Sequence, residues 1–333
     1  MTNAAPAGKP SRERPALKLV KINDLSRDDW LTVRKRGIGS SDAAAAIGLN
    51  PYKSPLELWM EKTGREDSLP KIDPNDPASP MYWGSLLEPI VAAHYTKRSG
   101  NRVRRINAVL QHPFQPWMLA NIDREVIGCP DVQILECKTA GINGARLWKE
   151  GVPEYVQLQV MHQLAVTGKQ AADVAVLLGG QDLQVHRIQR DNTQINQLIA
   201  LEREFWRYVE TDQPPPADGS YSADQALRCL FPRDGGQTLD LSEDLALSAA
   251  FSDLVAVRQL LEMNAQSEAE LKQRIQQRMG EASKALFGWG EVSWKRSKDS
   301  SGLDVAKLLK DQPDLLQRYP LVKPGSRRFL INV

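Results

Sequence analysis

The stretch Asp123-Arg-Glu-Val-Ile-Gly-Cys-Pro-Asp131-Val-Gln-Ile-Leu-Glu136-Cys137-Lys138 decides how this chain is read. The apolar run Met118-Leu119-Ala120-Asn121-Ile122 leads into Asp123. A turn rich in Gly and Pro follows, then a short strand, Val132 to Leu135, ending in Glu136-Cys137-Lys138. Side chains of an extended segment alternate faces, so Glu136 and Lys138 point one way and Cys137 the other, into the core. A hairpin returns Asp123 beside Glu136. Two carboxylates and one amine then meet at a single spot. Hard oxygen ligands of this kind suit Mg²⁺, which keeps several waters and bridges to phosphate oxygens. A lysine there can orient or deprotonate a water for in-line attack on a phosphodiester. Taken alone, Glu-x-Lys also describes a solvated strand edge, so the rest of the chain has to choose.

Composition sets the bounds. With 333 residues, 25% charged and 41% hydrophobic, the chain matches an ordinary globular protein with room for a sizeable core and two structural units. It has no apolar run of about 18 residues, which argues against a transmembrane helix. Residues 1–16 are rich in Ala, Pro, Lys and Arg and read as a disordered basic arm, not a secretory signal. Net charge is only +2, so attraction to nucleic acid has to come from local clusters. Cys129, Cys137 and Cys229 are spaced neither as a disulfide framework nor as a zinc site; reduced thiols in a cytoplasmic protein are expected.

Upstream, Ser26 with Asp28 and Asp29 is helix-start chemistry, and Trp30, Val33 and Arg34 share a face of that helix. Gly37-Ile-Gly-Ser-Ser-Asp42 breaks it, and a second helix starts at Asp42. A Gly/Ser loop at a helix start offers N–H groups and hydroxyls to an anion, with Arg34 and Arg36 adding charge; read structurally, Ser40-Ser41-Asp42 is a capped helix start. Leu56 to Thr63 reads as a helix closed by Gly64. The proline- and acid-rich residues 66–80 read as a loop. Met81 to Tyr95 is an apolar-faced helix with Glu88 near its middle, where a carboxylate is costly unless paired or bound to a cation; the alternative is a surface residue before Pro89. Lys97, Arg98, Arg102, Arg104 and Arg105 cluster around Gly100, a pattern able to follow phosphates and equally a solvated surface. Val103 to Leu110 reads as a strand.

Beyond Lys138, helical geometry brings Val156, Val160, Gln163 and Thr167 toward one face. Gln157 and Gln159 lie about 200° apart on the wheel, so at most one can face a given site. Ala171 to Gly179 reads as a buried strand, Val185 to Arg190 as its hairpin partner, and residues 191–210 as an amphipathic helix. Pro214-Pro-Pro216 closes this first unit.

Five stretches in order, across roughly residues 25 to 210, resemble the YqaJ-like viral recombinase, or phage lambda-type exonuclease, family of PD-(D/E)xK nucleases. They are Arg34-Lys-Arg-Gly-Ile-Gly-Ser-Ser41-Asp42, Trp83-Gly-Ser-Leu-Leu-Glu88, Asn121-Ile-Asp123, Glu136-Cys-Lys138, and Gln157-Leu-Gln159 followed by Val166-Thr-Gly168. The resemblance implies an α/β (α+β) core, a central mixed sheet flanked by helices, over residues 17–216. It implies that Asp123 and Glu136 bind metal, with the Cys137 carbonyl a further ligand, and that Lys138 activates the attacking water. Glu88 resembles the helix glutamate supporting the metal or water, and Gln157 the glutamine that completes the motif. Arg34 and Ser41 resemble residues that hold a DNA 5′-phosphate; Arg36, Ser40, Arg102, Arg104 and Arg105 are weaker DNA-binding candidates. The implied activity is Mg²⁺-dependent 5′ to 3′ digestion of one strand of duplex DNA during phage recombination, with two ions or Mn²⁺ in substitution. A ring-shaped homotrimer and a single-strand annealing partner are implied as well. Two departures stand out: Ile122 replaces the motif proline, and Glu154 replaces a tyrosine, with Tyr155 adjacent.

Residues 217–333 lie outside the resemblance. Ser242 to Leu286 reads as one helical stretch, broken at most once near Gln266, with Leu254, Val257, Leu261, Leu271, Ile275 and Met279 recurring at spacings of three and four. Phe287 to Lys298 reads as a glycine turn and a strand carrying Trp289, Trp294 and Arg296; residues 303–318 read as a short helix, and Ser326 to Val333 as a last strand. Two other functions compete with the exonuclease. One is an endonuclease or RNA-acting nuclease of the same fold, which the Arg34/Ser41 end pocket disfavours. The other is a non-catalytic DNA-binding module, which would not need Asp123, Glu136 and Lys138 intact.

Overall fold

The computed structural model describes residues 16–21, 26–71, 73–323 and 325–332, with backbone alone for Arg27, Asp28, Trp30 and Leu31. The expected basic arm, Ala16 apart, lies outside the described residues, as do the side chains of Asp28 and Trp30. Two compact units divide the chain, residues 1–231 and 232–333.

The first unit is built on a five-stranded sheet. It begins with strand β1 (Leu17–Lys21) and helix α1 (Arg27–Lys35), which the Ser26 side chain caps by accepting the Asp29 amide at 3.1 Å. A 3₁₀ turn (Ser40–Asp42) runs into the buried helix α2 (Ala43–Ala46). Helix α3 (Pro55–Lys62) and helix α4 (Pro80–Ser99) each start with a Ser cap and a proline in the first turn, where a missing N–H costs nothing. Strands β2 (Arg102–Arg104), β3 (Ala108–Gln111), β4 (Leu119–Ala120), β5 (Arg124–Ile127) and β6 (Ile134–Ala140) follow. Then come helix α5 (Glu154–Thr167), strands β7 (Ala171–Leu178) and β8 (Asp182–Gln189), and helices α6 (Asn192–Glu210) and α7 (Tyr221–Leu230).

The main sheet has the order β2-β5-β6-β7-β8, and β1-β3-β4 form a smaller one. The strand expected over Val103 to Leu110 is therefore two pieces in two sheets. In the main sheet every neighbouring pair is antiparallel except β6 and β7, which run parallel from Ile134↔Ala172 to Ala140↔Leu178. Parallel neighbours need a crossover, and α5 supplies it. One face of the sheet packs Leu135, Val126 and Ala175 on Val91, Ala92 and Tyr95 of α4. The other packs Ile134, Val174 and Val176 on Val156, Val160 and Leu164 of α5 and on Ile195 and Leu198 of α6. Each such buried branched side chain contributes about 1.5–3 kcal/mol. This central mixed sheet flanked by helices is the architecture the resemblance implied. The unit runs past the triple proline, because α7 packs on α3 and Ser222 hydrogen-bonds Ser54.

The second unit holds one unbroken helix α8 (Leu245–Met279), a hairpin of β9 (Lys284–Phe287) and β10 (Gly290–Ser293), and short helices α9 (Val305–Asp311) and α10 (Leu315–Arg318). The helix expected over Ser242 to Leu286 is unbroken at Gln266 but ends at Met279, with Lys284 to Leu286 in β9 instead, and two helices stand where one was expected over 303–318. A closing strand was expected over Ser326 to Val333; of these, described residues 326–332 form none, and Val333 lies outside the described residues.

Candidate active site

The β5–β6 pairing sets Arg124 opposite Leu135 and Glu125 opposite Ile134. Asp123, one residue before β5, therefore faces Glu136, and its Oδ2 accepts the Cys137 amide at 2.8 Å. Strand alternation works as the sequence requires. Ile134 belongs to the α5 side of the sheet with Glu136 and Lys138, whereas Cys137 packs into the α4 side with Leu135. Burial, Asp123 and Glu136 push the Cys137 thiol well up, so it stays protonated and the residue offers the site only its backbone.

Glu136 is 3% exposed and held from three sides. Lys138 Nζ donates to Oε1 at 2.7 Å, Gln159 Nε2 donates to the same oxygen, and Gln163 Nε2 donates to Oε2 at 2.7 Å. Lys138 also donates to Gln159 Oε1 at 2.8 Å. Burial opposes the Lys138 charge, but Glu136 and then Asp123 hold its pKa above the usual lysine value, so the amine is an ammonium. Asp123 lies on the other side of the balance. Burial and the Glu136 carboxylate push its carboxyl up to about 8, against the pull of the Cys137 amide and Lys138.

Glu88 is half-buried and paired, rather than free on the surface: Arg124 Nη1 reaches Oε1 at 2.5 Å and Arg105 Nη2 at 3.1 Å. Arg124 also donates to the Asp123 carbonyl at 2.6 Å, which ties α4 to the acidic strand end. Gln157 is not part of the cluster. Its side chain is exposed and donates to the Val152 carbonyl at 2.6 Å, because the helical phase that buries Val156 and Val160 turns Gln157 away. Gln159 and Gln163 occupy the place assigned to it. Tyr155 stands close enough to Lys138 to feel its charge and stacks edge-on with Tyr52 at 5.8 Å.

Arg34 and Ser41 come together as expected, Nη2 to Oγ at 3.3 Å. The chain before them is pinned: Ile38 N donates to the Trp117 carbonyl at 2.7 Å, and a Cβ on Gly37 would sit 2.4 Å from that same oxygen, so only glycine fits. Two partners escaped the sequence. Asp42 accepts from Arg34 Nη2 at 3.0 Å, from the Gly39 amide at 3.1 Å and from the buried Lys62 at 2.6 Å. Burial would raise the Asp42 carboxyl, but Lys62 and Arg34 hold it far below the usual carboxylate range. The turn packs on α5, the helix that carries Gln159 and Gln163. Of the weaker candidates, Ser40 is buried with no hydrogen-bond partner on Oγ, Arg36 and Arg102 are exposed, Arg104 pairs with Glu125 at 2.6 Å, and Arg105 pairs with Glu88.

Among the described residues no group of three His, Cys, Asp or Glu side chains is placed to hold a metal ion. Asp123 and Glu136 are two, with the Cys137 carbonyl a third oxygen. Mg²⁺ is held by one or two carboxylates and keeps waters elsewhere. An Asp carboxyl raised by burial and by a second carboxylate marks a site short of positive charge. The donor set fits a hard divalent cation.

Fold and site together define an α/β protein carrying an acidic pair and a lysine on adjacent strands of a mixed sheet. The profile of the YqaJ-like viral recombinase domain matches residues 29–170. The Uncharacterized protein YqaJ of Bacillus subtilis (strain 168) is 36% identical over 322 residues, covering 94% of this chain and 97% of that protein. The chain belongs to the YqaJ-like viral recombinase family. Among solved structures, an alkaline exonuclease (LHK-Exo) of Laribacter hongkongensis is similar at 21% identity and TM-score 0.47, covering 56% of this chain and 93% of that one. A phage related exonuclease of Haemophilus somnus 129PT is similar at 12% identity and TM-score 0.35, covering 53% and 96%. No described helix is long and apolar enough to cross a membrane.

Proposed function

We propose that the chain is a metal-dependent exonuclease that digests one strand of duplex DNA from its 5′ end, in phage-type recombination. The observation that carries this reading is Asp123 facing Glu136 across paired strands, with Lys138 Nζ 2.7 Å from Glu136. Asp123, Glu136 and the Cys137 carbonyl would hold Mg²⁺, a second ion following from the family reading alone, and the metal would supply Lewis-acid stabilisation of the phosphate oxygens. The remaining work falls to the chain. Lys138, an ammonium fixed by Glu136 and Gln159, orients the attacking water and stabilises negative charge gathering at phosphorus. Gln163 fixes the rotamer of Glu136. Glu88, fastened by Arg124, borders the Asp123 side.

The bond that forms joins a water oxygen to phosphorus, and the bond that breaks joins phosphorus to the 3′ oxygen of the terminal nucleotide, which leaves with a proton. Each cut thus produces a fresh 5′-phosphate on the shortened strand. Arg34 and Ser41 suit that group, and their adjacency supports the 5′ to 3′ direction and the 3′ overhangs that follow from it. Through family membership alone, the reading extends to a ring-shaped homotrimer around DNA and to a partner that anneals single strands.

Linear duplexes with 5′-phosphate or 5′-hydroxyl ends, and closed circles, digested with Mg²⁺ or EDTA, provide the test. Release of mononucleotides from phosphorylated linear DNA, lost in EDTA and in Lys138→Ala, is expected. Cutting of circles would replace the reading with an endonuclease. Binding without digestion would leave a DNA-binding module.

A further inference from the structure

Arg34 is held at both ends by a single buried amine. Lys62 Nζ donates to the Arg34 backbone carbonyl at 2.9 Å, in the last turn of α1, where helix carbonyls lack helical donors. The same Nζ donates to Asp42 Oδ2 at 2.6 Å, and Asp42 Oδ1 accepts from the Arg34 guanidinium at 3.0 Å. A closed ring results: Arg34 carbonyl, Lys62, Asp42, Arg34 guanidinium. Lys62 and Asp42 side chains are 4% and 3% exposed, whereas Arg34 is 31% exposed and reaches the surface beside Ser41.

Arg34 and Lys62 both reach the Asp42 carboxylate here, and Lys62 is buried, where a charge is expensive and an apolar residue would pack. An arginine otherwise loses rotamer freedom when it grips an anion. The ring removes that loss in advance, because the guanidinium is already docked.

We propose that Asp42 and Lys62 are positioning residues that preset Arg34 and the Ser40–Asp42 turn to receive a terminal phosphate monoester, so that discrimination between phosphorylated and hydroxylated DNA ends is set by this pair. The proposal rests on the 5′-end reading given above. It adds the residues that make the pocket selective without touching the DNA.

The test compares full-length wild type with Asp42→Asn/Lys62→Met, which removes both charges and leaves neither one uncompensated. The readout is the ratio of kcat/KM for 5′-phosphate over 5′-hydroxyl duplex ends. The ratio is expected to fall about tenfold or more in the double variant, with the loss in KM and not in kcat, and Lys62→Arg should restore part of it. An unchanged ratio with a lowered melting temperature makes the pair a structural strut and overturns the proposal. Equal digestion of both ends by wild type instead sinks the end-pocket reading itself, and the proposal with it. Nitrogen-15 NMR of the wild-type Arg34 guanidinium makes the same test with no substitution. Slow rotation about Nε–Cζ before DNA is added is expected; fast rotation that slows only with DNA would overturn presetting.

Discussion

Two clusters of buried charge lie along α5, and they are balanced in opposite directions. At the sheet, Asp123 and Glu136 share Lys138 while Glu88 pairs with Arg124 and Arg105, and Asp123 is driven up to about 8. At the turn, Asp42 pairs with both Arg34 and Lys62, and is driven far below the ordinary carboxylate range. Desolvation acts on both carboxylates in the same sense, so it does not separate them; the neighbours do. A buried carboxylate raised by a second carboxylate suits a cation, and a carboxylate gripped by two cations holds those cations in place for an anion. Duplex cleavage at a phosphorylated end needs one of each.

The comparison can be broken most forcefully at the sheet. Glu136→Gln keeps the shape but removes a charge, and digestion is expected to fall about a hundredfold or more, with Mg²⁺ affinity by calorimetry falling in step. An active variant would mean that the cation shortfall is not functional. Lys62→Met attacks the other balance by leaving the buried Asp42 to the Arg34 guanidinium and the Gly39 amide. Such a broken pair costs about 3–5 kcal/mol, which urea unfolding at neutral pH should register.

Acidity sharpens the contrast further, because the signs oppose. In EDTA, folded Asp123 holds its proton up to about pH 8, whereas the unfolded chain releases it near the normal Asp value. The folded state binds more protons in between, so this contribution is full in acid and lost as pH rises through about 8. Asp123→Asn should therefore match wild type near pH 3 and exceed it by a few kcal/mol near pH 9. Asp42 behaves the other way: its contribution is lost as pH falls below the ordinary carboxylate range. The smallest effect separates the glutamines. Gln163→Ala should cost about 1–3 kcal/mol by stranding Glu136, and Gln157→Ala under about 0.5 kcal/mol. Equal losses would restore Gln157 to the site.

The sheet cluster was legible because its geometry is local. A period of two fixes the faces of Glu136, Cys137 and Lys138, and one Gly/Pro turn brings Asp123 across. The glutamine was half legible: helical phase put Gln163 on the face of Val156 and Val160, but with Val160 to Thr167 buried all round no polar stripe marked it, and the resemblance pointed to Gln157. Lys62 sits among Leu58, Trp59 and Met60, and its partner lies twenty residues upstream, a pairing only tertiary packing creates. The partners of the basic cluster were hidden for the same reason: Arg104 and Arg105 find acids on β5 and α4. The strand expected over Ser326 to Val333 rested on β-type residues alone, and described residues 326–332 form none.

The parallel pairing of β6 with β7 has one more consequence. Sliding β6 by a single residue would carry Glu136 and Lys138 into the apolar layer beneath α4 and bring Cys137 out under the glutamines. The chemistry and the hydrophobic core therefore stand or fall on the same alignment. Losing one residue from the Gly128–Val132 turn should be as damaging as losing a carboxylate, although no reactive group is touched.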